Sequence, residues 1–210
     1  VIEVHHLNNS RSQRVLWLLE ELALPYTIVH YQRDSATQLA PASLKAIHPL
    51  GKSPVIRDNG QVIAESGAIV EYLVERYGAG KFAPARNTDA YELYRYWMHY
   101  AEGSLMVPML LKLYLARAGE GARPMLERVD GQIRMHLDFV EGKLGAAPYL
   151  TGQEFSAADI QMSFPLEITG AQRTLTDQHP RLKGFLARIH ARPAYARALE
   201  KGGPYAYAND

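Results

Sequence analysis

The run from Ile47 to Gly67, IHPLGKSPVIRDNGQVIAESG, is the most constraining stretch of the chain. Pro54 stands ahead of Val55-Ile56-Arg57, and a proline cannot donate to a sheet ladder, so it belongs at a strand start or edge, a place where cis bonds also occur. Asn59-Gly60 then separates Pro54–Arg57 from Gln61–Ala64. A type I′ turn needs positive φ at both central residues, and Asn-Gly supplies it, so the spacing predicts a β-hairpin. Pro49 to Lys52 form a loop before it, and Glu65-Ser66 fall where the returning strand meets a helix. Backbone beside the proline is left open to pair with something extended, which points to a small peptide-like ligand.

The flanking segments alternate between strand and helix periods. Val1 to Leu7 reads as a strand, broken by Asn8-Asn9-Ser10. Val15, Leu18, Leu19 and Leu22 follow at i, i+3, i+4 and i+7, one apolar stripe of a helix that Leu24-Pro25 closes. Tyr26 to Tyr31 reads as a second strand, so the first three elements make a parallel, right-handed βαβ unit. A short helix is expected within Asp34 to Ile47. After the hairpin, Ile69, Tyr72, Leu73 and Tyr77 mark another helix, ended by Gly78-Ala79-Gly80. The predicted order is β-α-β-α-β-β-α over residues 1–78. A linker over 79–88 follows, and an all-helical domain over 89–210 has helices near 88–118, 123–145, 156–171, 180–190 and 193–201.

Composition narrows the function classes. With 23 basic and 22 acidic residues the net charge is +1, and no long block of one sign occurs, so the footprint of a nucleic-acid or anionic-membrane binder is missing. No run of about 18 apolar residues occurs and the first residues do not read as a signal peptide, so the expectation is a soluble, cytoplasmic protein. Cysteine is absent, which excludes a disulfide, a thiolate zinc site and any mechanism that uses the protein's own thiol. The eight histidines include no pair at His-x-x-x-His spacing with an adjacent Glu, and His5 and His6 point to opposite faces of a strand, so no metal is expected.

A β-α-β-α-β-β-α domain with Pro54 before its third strand, followed by an all-helical domain, resembles the cytosolic glutathione transferase family. The likeness is carried by His48 to Val55, by Glu65-Ser66 ten residues beyond Val55, and by Ser156-Ala157-Ala158-Asp159-Ile160 in the helical part. Ala157 departs mildly from the Thr or Ser usual in the family. The resemblance implies an α/β thioredoxin-like N-terminal domain followed by an all-α C-terminal domain, glutathione as co-substrate, no metal, and a homodimer that sets the small domain of one subunit against the large domain of the other. It also implies a bacterial-type, serine-type or related enzyme of detoxification.

Carried over residue by residue, the resemblance places glutathione against Lys52, Ser53, Pro54, Val55, Glu65 and Ser66, and more loosely Gln38. Pro54 would be cis, with Val55 N–H and C=O pairing with the cysteinyl part of the tripeptide. Glu65-Ser66 would hold its γ-glutamyl end, although the pair also reads as a helix N-cap. Lys52 suits the glycyl carboxylate, against a plain reading as a solvated loop lysine. Gln38 equally reads as a surface amide.

In serine-type members the hydroxyl that stabilises the thiolate lies four residues before an arginine, and counting back from Arg14 reaches Ser10. Ser10-x-x-Gln13 is also a capping box, the competing structural reading. Arg11 and Ser12 are rivals and Asn9 is a lesser one; His5 and His6 could act as bases near the strand end, although a strand histidine reads first as packed or exposed. Ser156-x-x-Asp159 reads as a structural capping box worth about 1 kcal/mol.

The expected second substrate is a small apolar electrophile in a cleft between the domains, beside the aromatic-rich helix from Asp89; Tyr100 and Met106 are the residues chosen for it. The expected activity is conjugation of the thiol of reduced glutathione to electrophilic, mostly apolar substrates, with possible peroxidase activity. Alternatives are a glutathione-dependent isomerase or dehalogenase, or a non-catalytic interaction module. The partners expected are glutathione, the electrophile and a second copy of the chain, with no nucleic acid and no membrane.

Overall fold

The computed structural model describes residues 1–208. Contacts divide the chain into two compact units, one of Val1–Ala83 with residues 188–208, the other of Pro84–Ala187.

The first unit is built on β1 (Ile2–Leu7), α1 (Ser12–Glu21), β2 (Tyr26–Tyr31), β3 (Val55–Asp58), β4 (Gln61–Ala64) and α2 (Ser66–Tyr77). The strands form one sheet in the order β2-β1-β3-β4, with β1 and β2 parallel and the β1–β3 and β3–β4 pairs antiparallel. This is the expected thioredoxin-like βαβαββα order, with the second helix reduced to a 3₁₀ segment, Ala42–Ala46, in which only Leu44 is buried. The hairpin turns as predicted: Asn59 and Gly60 have φ of 48° and 79°, and Asp58 stands opposite Gln61.

Helix α1 is buried nearly all round, including Val15, Leu16, Trp17, Leu18 and Leu19, where the sequence shows a single stripe. The reason lies at the other end of the chain. A helix over Pro193–Gly202, expected with the helical domain at 89–210, groups instead with the first unit and covers α1. Arg192 grips Glu21 with two bonds, at 2.6 and 2.9 Å, and the Trp17 and Tyr195 rings meet edge to face at 5.1 Å.

The second unit is all helical. It contains α3 (Asp89–Tyr100), α4 (Met106–Leu115), α5 (Arg123–Leu144) and α6 (Ala157–Ala171); α7 (Pro180–His190) leads out of it, and the helix already met at Pro193–Gly202 is α8. The helix expected over 88–118 is interrupted by a π-helical turn at Ala101–Leu105. Pro108 accounts for it: without an N–H and with a ring that crowds the Ser104 carbonyl, it cannot continue a regular ladder, and a wider turn absorbs the mismatch. Val129, Ile133, Leu137, Val140 and Leu144 form the buried stripe of α5. The Ser156–Asp159 capping box is present at the start of α6. Among the described residues no helix is long and apolar enough to cross a membrane.

Candidate active site

The C-terminal end of β1 feeds a tight turn. Asn8 N–H donates to Tyr31 O at 3.2 Å, and its side-chain Oδ1 accepts Arg33 N–H at 2.9 Å. Asn9 is in the left-handed region at φ 51°, where asparagine is among the few tolerated residues. Its carbonyl accepts from Arg33 Nη2 at 3.4 Å, and its Oδ1 accepts Ala206 N–H at 2.8 Å. The turn is thus tied to β2 on one side and to the chain's last segment on the other.

Ser10 and Ser12 follow, both buried. Ser10 Oγ lies 2.8 Å from Ser12 Oγ and accepts Ser12 N–H at 3.2 Å. Ser12 Oγ in turn lies 2.8 Å from His6 Nδ1 and contacts the Leu7 N–H and C=O, each at 3.3 Å. Burial, and then the neighbouring His30, push the His6 ring down to about 4, while the Gly202 backbone works the other way. The capping box read at Ser10-x-x-Gln13 does not form: Ser10 Oγ is taken by Ser12 N–H, and the buried Gln13 amide has no partner among the described residues. Arg11 is half-buried at the cap position of α1 in helical conformation, and its side chain makes no capping bond.

The second cluster surrounds the hairpin. The Ser53–Pro54 bond is cis. Val55 stands opposite His5 on one side and Ala64 on the other, so the residue expected to offer open backbone lies inside the sheet. Ahead of both ladders, the first residue with an N–H to offer is Ser53, since Pro54 has none; its hydroxyl donates to His5 O at 2.9 Å and accepts Leu7 N–H at 3.3 Å. Lys52 is exposed just after Gly51, which has φ of 58° and whose added Cβ would come within 2.7 Å of Lys45 Cγ.

Glu65, exposed and at φ 70°, turns the chain into α2, and no side chain caps that helix. The first helical bond runs from Ile69 N–H to Glu65 O, so the amides of Ser66, Gly67 and Ala68 precede the ladder and face the end that favours an anion. Buried Ser66 Oγ accepts from Arg14 Nη1 at 3.2 Å. Gln38 is exposed on the loop after β2, where its side chain donates to Ser35 O at 3.0 Å and its carbonyl accepts from Arg33 Nη1 at 3.1 Å.

In the helical unit Tyr100 is buried, with its hydroxyl 2.5 Å from His136 Nδ1. It borders a hollow of about 570 Å³ lined also by Arg95, Tyr96, His99, Gly103 and Ser104, directly at the π turn. Met106 is buried and does not line that hollow. Among the described residues, no group of three or more His, Cys, Asp or Glu could hold a metal ion.

Arg33 does not stand out in the sequence, Arg14 serves there only to count back to Ser10, and His6 reads only as a base set against plain packing. Arg14 carried a signal that could have found it: a charged side chain flanked by Val15-Leu16-Trp17 in a helix must satisfy its guanidinium inside the protein. His6 carried none, because its partner is set by the turn between β1 and α1.

A family model described as "Glutathione S-transferase, N-terminal domain" matches residues 1–75, and one described as "Glutathione S-transferase, C-terminal domain" matches residues 83–193. The chain is 37% identical, over an alignment 218 positions long, to Glutathione S-transferase 3 of Schizosaccharomyces pombe, covering 96% of this chain and 88% of the relative. A solved glutathione S-transferase from Actinobacillus pleuropneumoniae matches with a TM-score of 0.89 at 35% identity, over 98% of this chain and 94% of that one. A glutathione transferase homologue from Sulfitobacter, solved with bound glutathione, matches with a TM-score of 0.82 at 25% identity, over 96% and 98%. With both halves matched and the cis proline in place, the chain belongs to the glutathione S-transferase family, as an enzyme that takes glutathione as co-substrate.

Proposed function

We propose that this transferase adds the glutathione thiolate to small, mostly apolar electrophiles, and that Ser10 is the hydroxyl that stabilises the thiolate. The observation that carries the reading is the chain of contacts Ser10 Oγ, Ser12 Oγ, His6 Nδ1. With the ring neutral and its other nitrogen left for the Gly202 backbone, Nδ1 accepts the Ser12 proton. Ser12 is fully buried and engaged on all sides, so its hydroxyl is spent inward. Ser10 is the outermost member, and its proton, which the Ser12 oxygen accepts once Ser12 has given its own to His6, is the one that can exchange that partner for a sulfur. The start of α1 adds the positive end of a helix dipole, which also favours a thiolate.

Glutathione itself would lie along the cis-proline turn, its cysteinyl backbone on Ser53 rather than Val55, its γ-glutamyl carboxylate on the uncapped amides of α2 and Ser66, its amine on Glu65, and its glycyl carboxylate toward Lys52. Gln38 then serves the loop and not the ligand. Tyr100 is the aromatic group proposed for the electrophile, and Met106, buried and off the hollow, is not. A hydroperoxide oxygen could replace the electrophilic carbon at the same thiolate. A homodimer is proposed on the exposure of Tyr96, Val107, Leu111, Met135 and Phe139, and sedimentation as a monomer at micromolar concentration would count against it.

The test is the ultraviolet thiolate band of bound glutathione followed across pH. The native enzyme should titrate below the free thiol's value of about 8.5. Ser10→Ala should move the titration back by about one unit and lower kcat by roughly 10²-fold. An unchanged titration in Ser10→Ala overturns the assignment.

A further inference from the structure

Asn9 reaches to a residue 197 positions away, Ala206, in the segment that follows α8. The bond is 2.8 Å long, and it is the asparagine side chain, not its backbone, that accepts. Three features make this more than an incidental surface contact. Asn9 is held in left-handed conformation immediately before Ser10, so any change in its backbone swings the Ser10 hydroxyl directly. Its carbonyl is anchored separately by Arg33, which leaves the side chain free to specialise in the second tether. The segment it holds lines, with Gly203 and Tyr205, a cavity of about 600 Å³ that is also lined by His6, Asn8 and His30. The segment after α8 thus borders this cavity where it meets the loop, and Ala206 is itself exposed.

We propose that Asn9 is a positioning residue that couples the chain's C-terminal segment to the thiolate-binding loop, through its bond to Ala206 N–H. It acts on Ser10 and does not itself touch the sulfur: with Oδ1 occupied by Ala206 and the backbone clamped by Arg33, its side chain is directed to the C-terminal segment. Loss of the tether leaves glutathione binding at Ser53 and Ser66 in place and loosens the donor, so the effect falls on kcat and on the thiol titration more than on KM. The proposal rests on the reading of Ser10 as the thiolate donor.

Four variants of this chain test it, with Ser10→Ala run alongside. Asn9→Gly keeps the left-handed backbone without strain and deletes the tether. Ala206→Pro deletes the donor from the other end and leaves Asn9 intact. The double variant asks whether they act on the same bond. Each single change should lower kcat about fivefold, as one hydrogen bond's worth of ordering allows, raise the titration of bound glutathione toward the free thiol, and move KM for glutathione less than twofold. The double variant should be no worse than either single one. Asn9→Asp, which keeps an acceptor, should recover most of kcat. Native kcat and titration in Ala206→Pro overturn the proposal, as does additivity in the double variant. A large loss in Asn9→Gly beside native behaviour in Ala206→Pro also overturns it, and makes Asn9 a direct contact of the sulfur. Ser10→Ala run alongside separates the two ideas: if it shifts the titration while Ala206→Pro does not, only the coupling fails, and if it shifts nothing, the donor reading fails first.

Discussion

Arg14 Nη1 donates to Ser66 Oγ at 3.2 Å, joining the first turns of α1 and α2 across 52 positions of sequence. Both residues are buried, and both stand at helix starts that point toward the same end of the sheet. The arginine therefore orients the hydroxyl proposed to receive the γ-glutamyl carboxylate, while its own helix begins two residues after Ser10.

Replacing Arg14 by Met should separate binding from chemistry. The side chain's length is nearly kept, but Ser66 loses its donor, so KM for glutathione should rise about tenfold while kcat at saturating glutathione changes less than threefold. A stability loss of about 2–3 kcal/mol should accompany it, because a charged hydrogen bond in the interior is removed. Initial-rate kinetics with urea unfolding on the same preparation checks both. A fall in kcat with KM unchanged would show that Arg14 serves the thiolate instead.

Glu20 predicts where acid first loosens α8. Its burial would raise its pKa, but hydrogen bonds from Lys201, Tyr26 and Arg197 outweigh that and hold the carboxyl below its ordinary value. A depressed folded pKa contributes stability above the unfolded value, about 4.3, and loses it as pH falls through the folded one. Hydrogen exchange of α8 amides should therefore accelerate below about pH 4, before the sheet amides respond. Glu20→Gln should show the fast exchange already at neutral pH; slow exchange there would mean that apolar contacts such as Trp17–Tyr195 hold the helix without the ion pairs.

Two sequence patterns of one form show how far local reading carries. Ser156-x-x-Asp159 forms its box, with Ser156 N–H donating to Asp159 Oδ2 at 2.8 Å, since a four-residue motif ahead of a buried helix needs nothing from elsewhere. Ser10-x-x-Gln13 does not, because His6 and Leu7 draw Ser12 into the turn and Ser12 N–H takes the Ser10 oxygen. The same division runs through the whole molecule. The Asn59-Gly60 hairpin, the cis proline and the βαβαββα order were legible from dihedral demands and apolar period. The cover of α1 by α8, the ladder position of Val55, and the Asn9–Ala206 tether were not, since each depends on a partner that no local spacing names. Pro108 carried a readable hint of the break in the helix over 88–118, but the apolar and aromatic period on either side concealed it.

Asp159 bears more than a cap. Its Oδ1 accepts Leu150 N–H at 2.8 Å while Oδ2 takes Ser156 N–H and Oγ, all in a fully buried setting. Asp159→Ala strands two buried amides, at a cost of about 3 kcal/mol, which for a chain of this length lowers Tm by roughly 6–12 °C. Asp159→Asn keeps one acceptor oxygen and should lose about half as much. Differential scanning calorimetry of the three proteins decides; equal losses for Ala and Asn would mean that the negative charge, and not the pairing of the two amides, is what the site requires.

His6 makes a second, separate acid limb. Its ordinary value of 6.5 is lowered to about 4 in the fold, chiefly by burial. Because the folded protein binds this proton less readily than the unfolded chain, its contribution is fully present above about pH 6.5 and is lost as pH falls toward about 4, by at most about 3 kcal/mol. His5 and His136 are also pushed down by burial and add to the same slope, so the share of His6 is the difference between native protein and His6→Asn. The asparagine oxygen can still accept from Ser12 where Nδ1 did, and it does not titrate. Urea midpoints across that window should therefore fall less steeply in His6→Asn, while the pH dependence of the bound thiol stays native. If the thiol titration moves with the midpoints, His6 charge is felt at the sulfur, and the two serines conduct more than the orientation assigned to them.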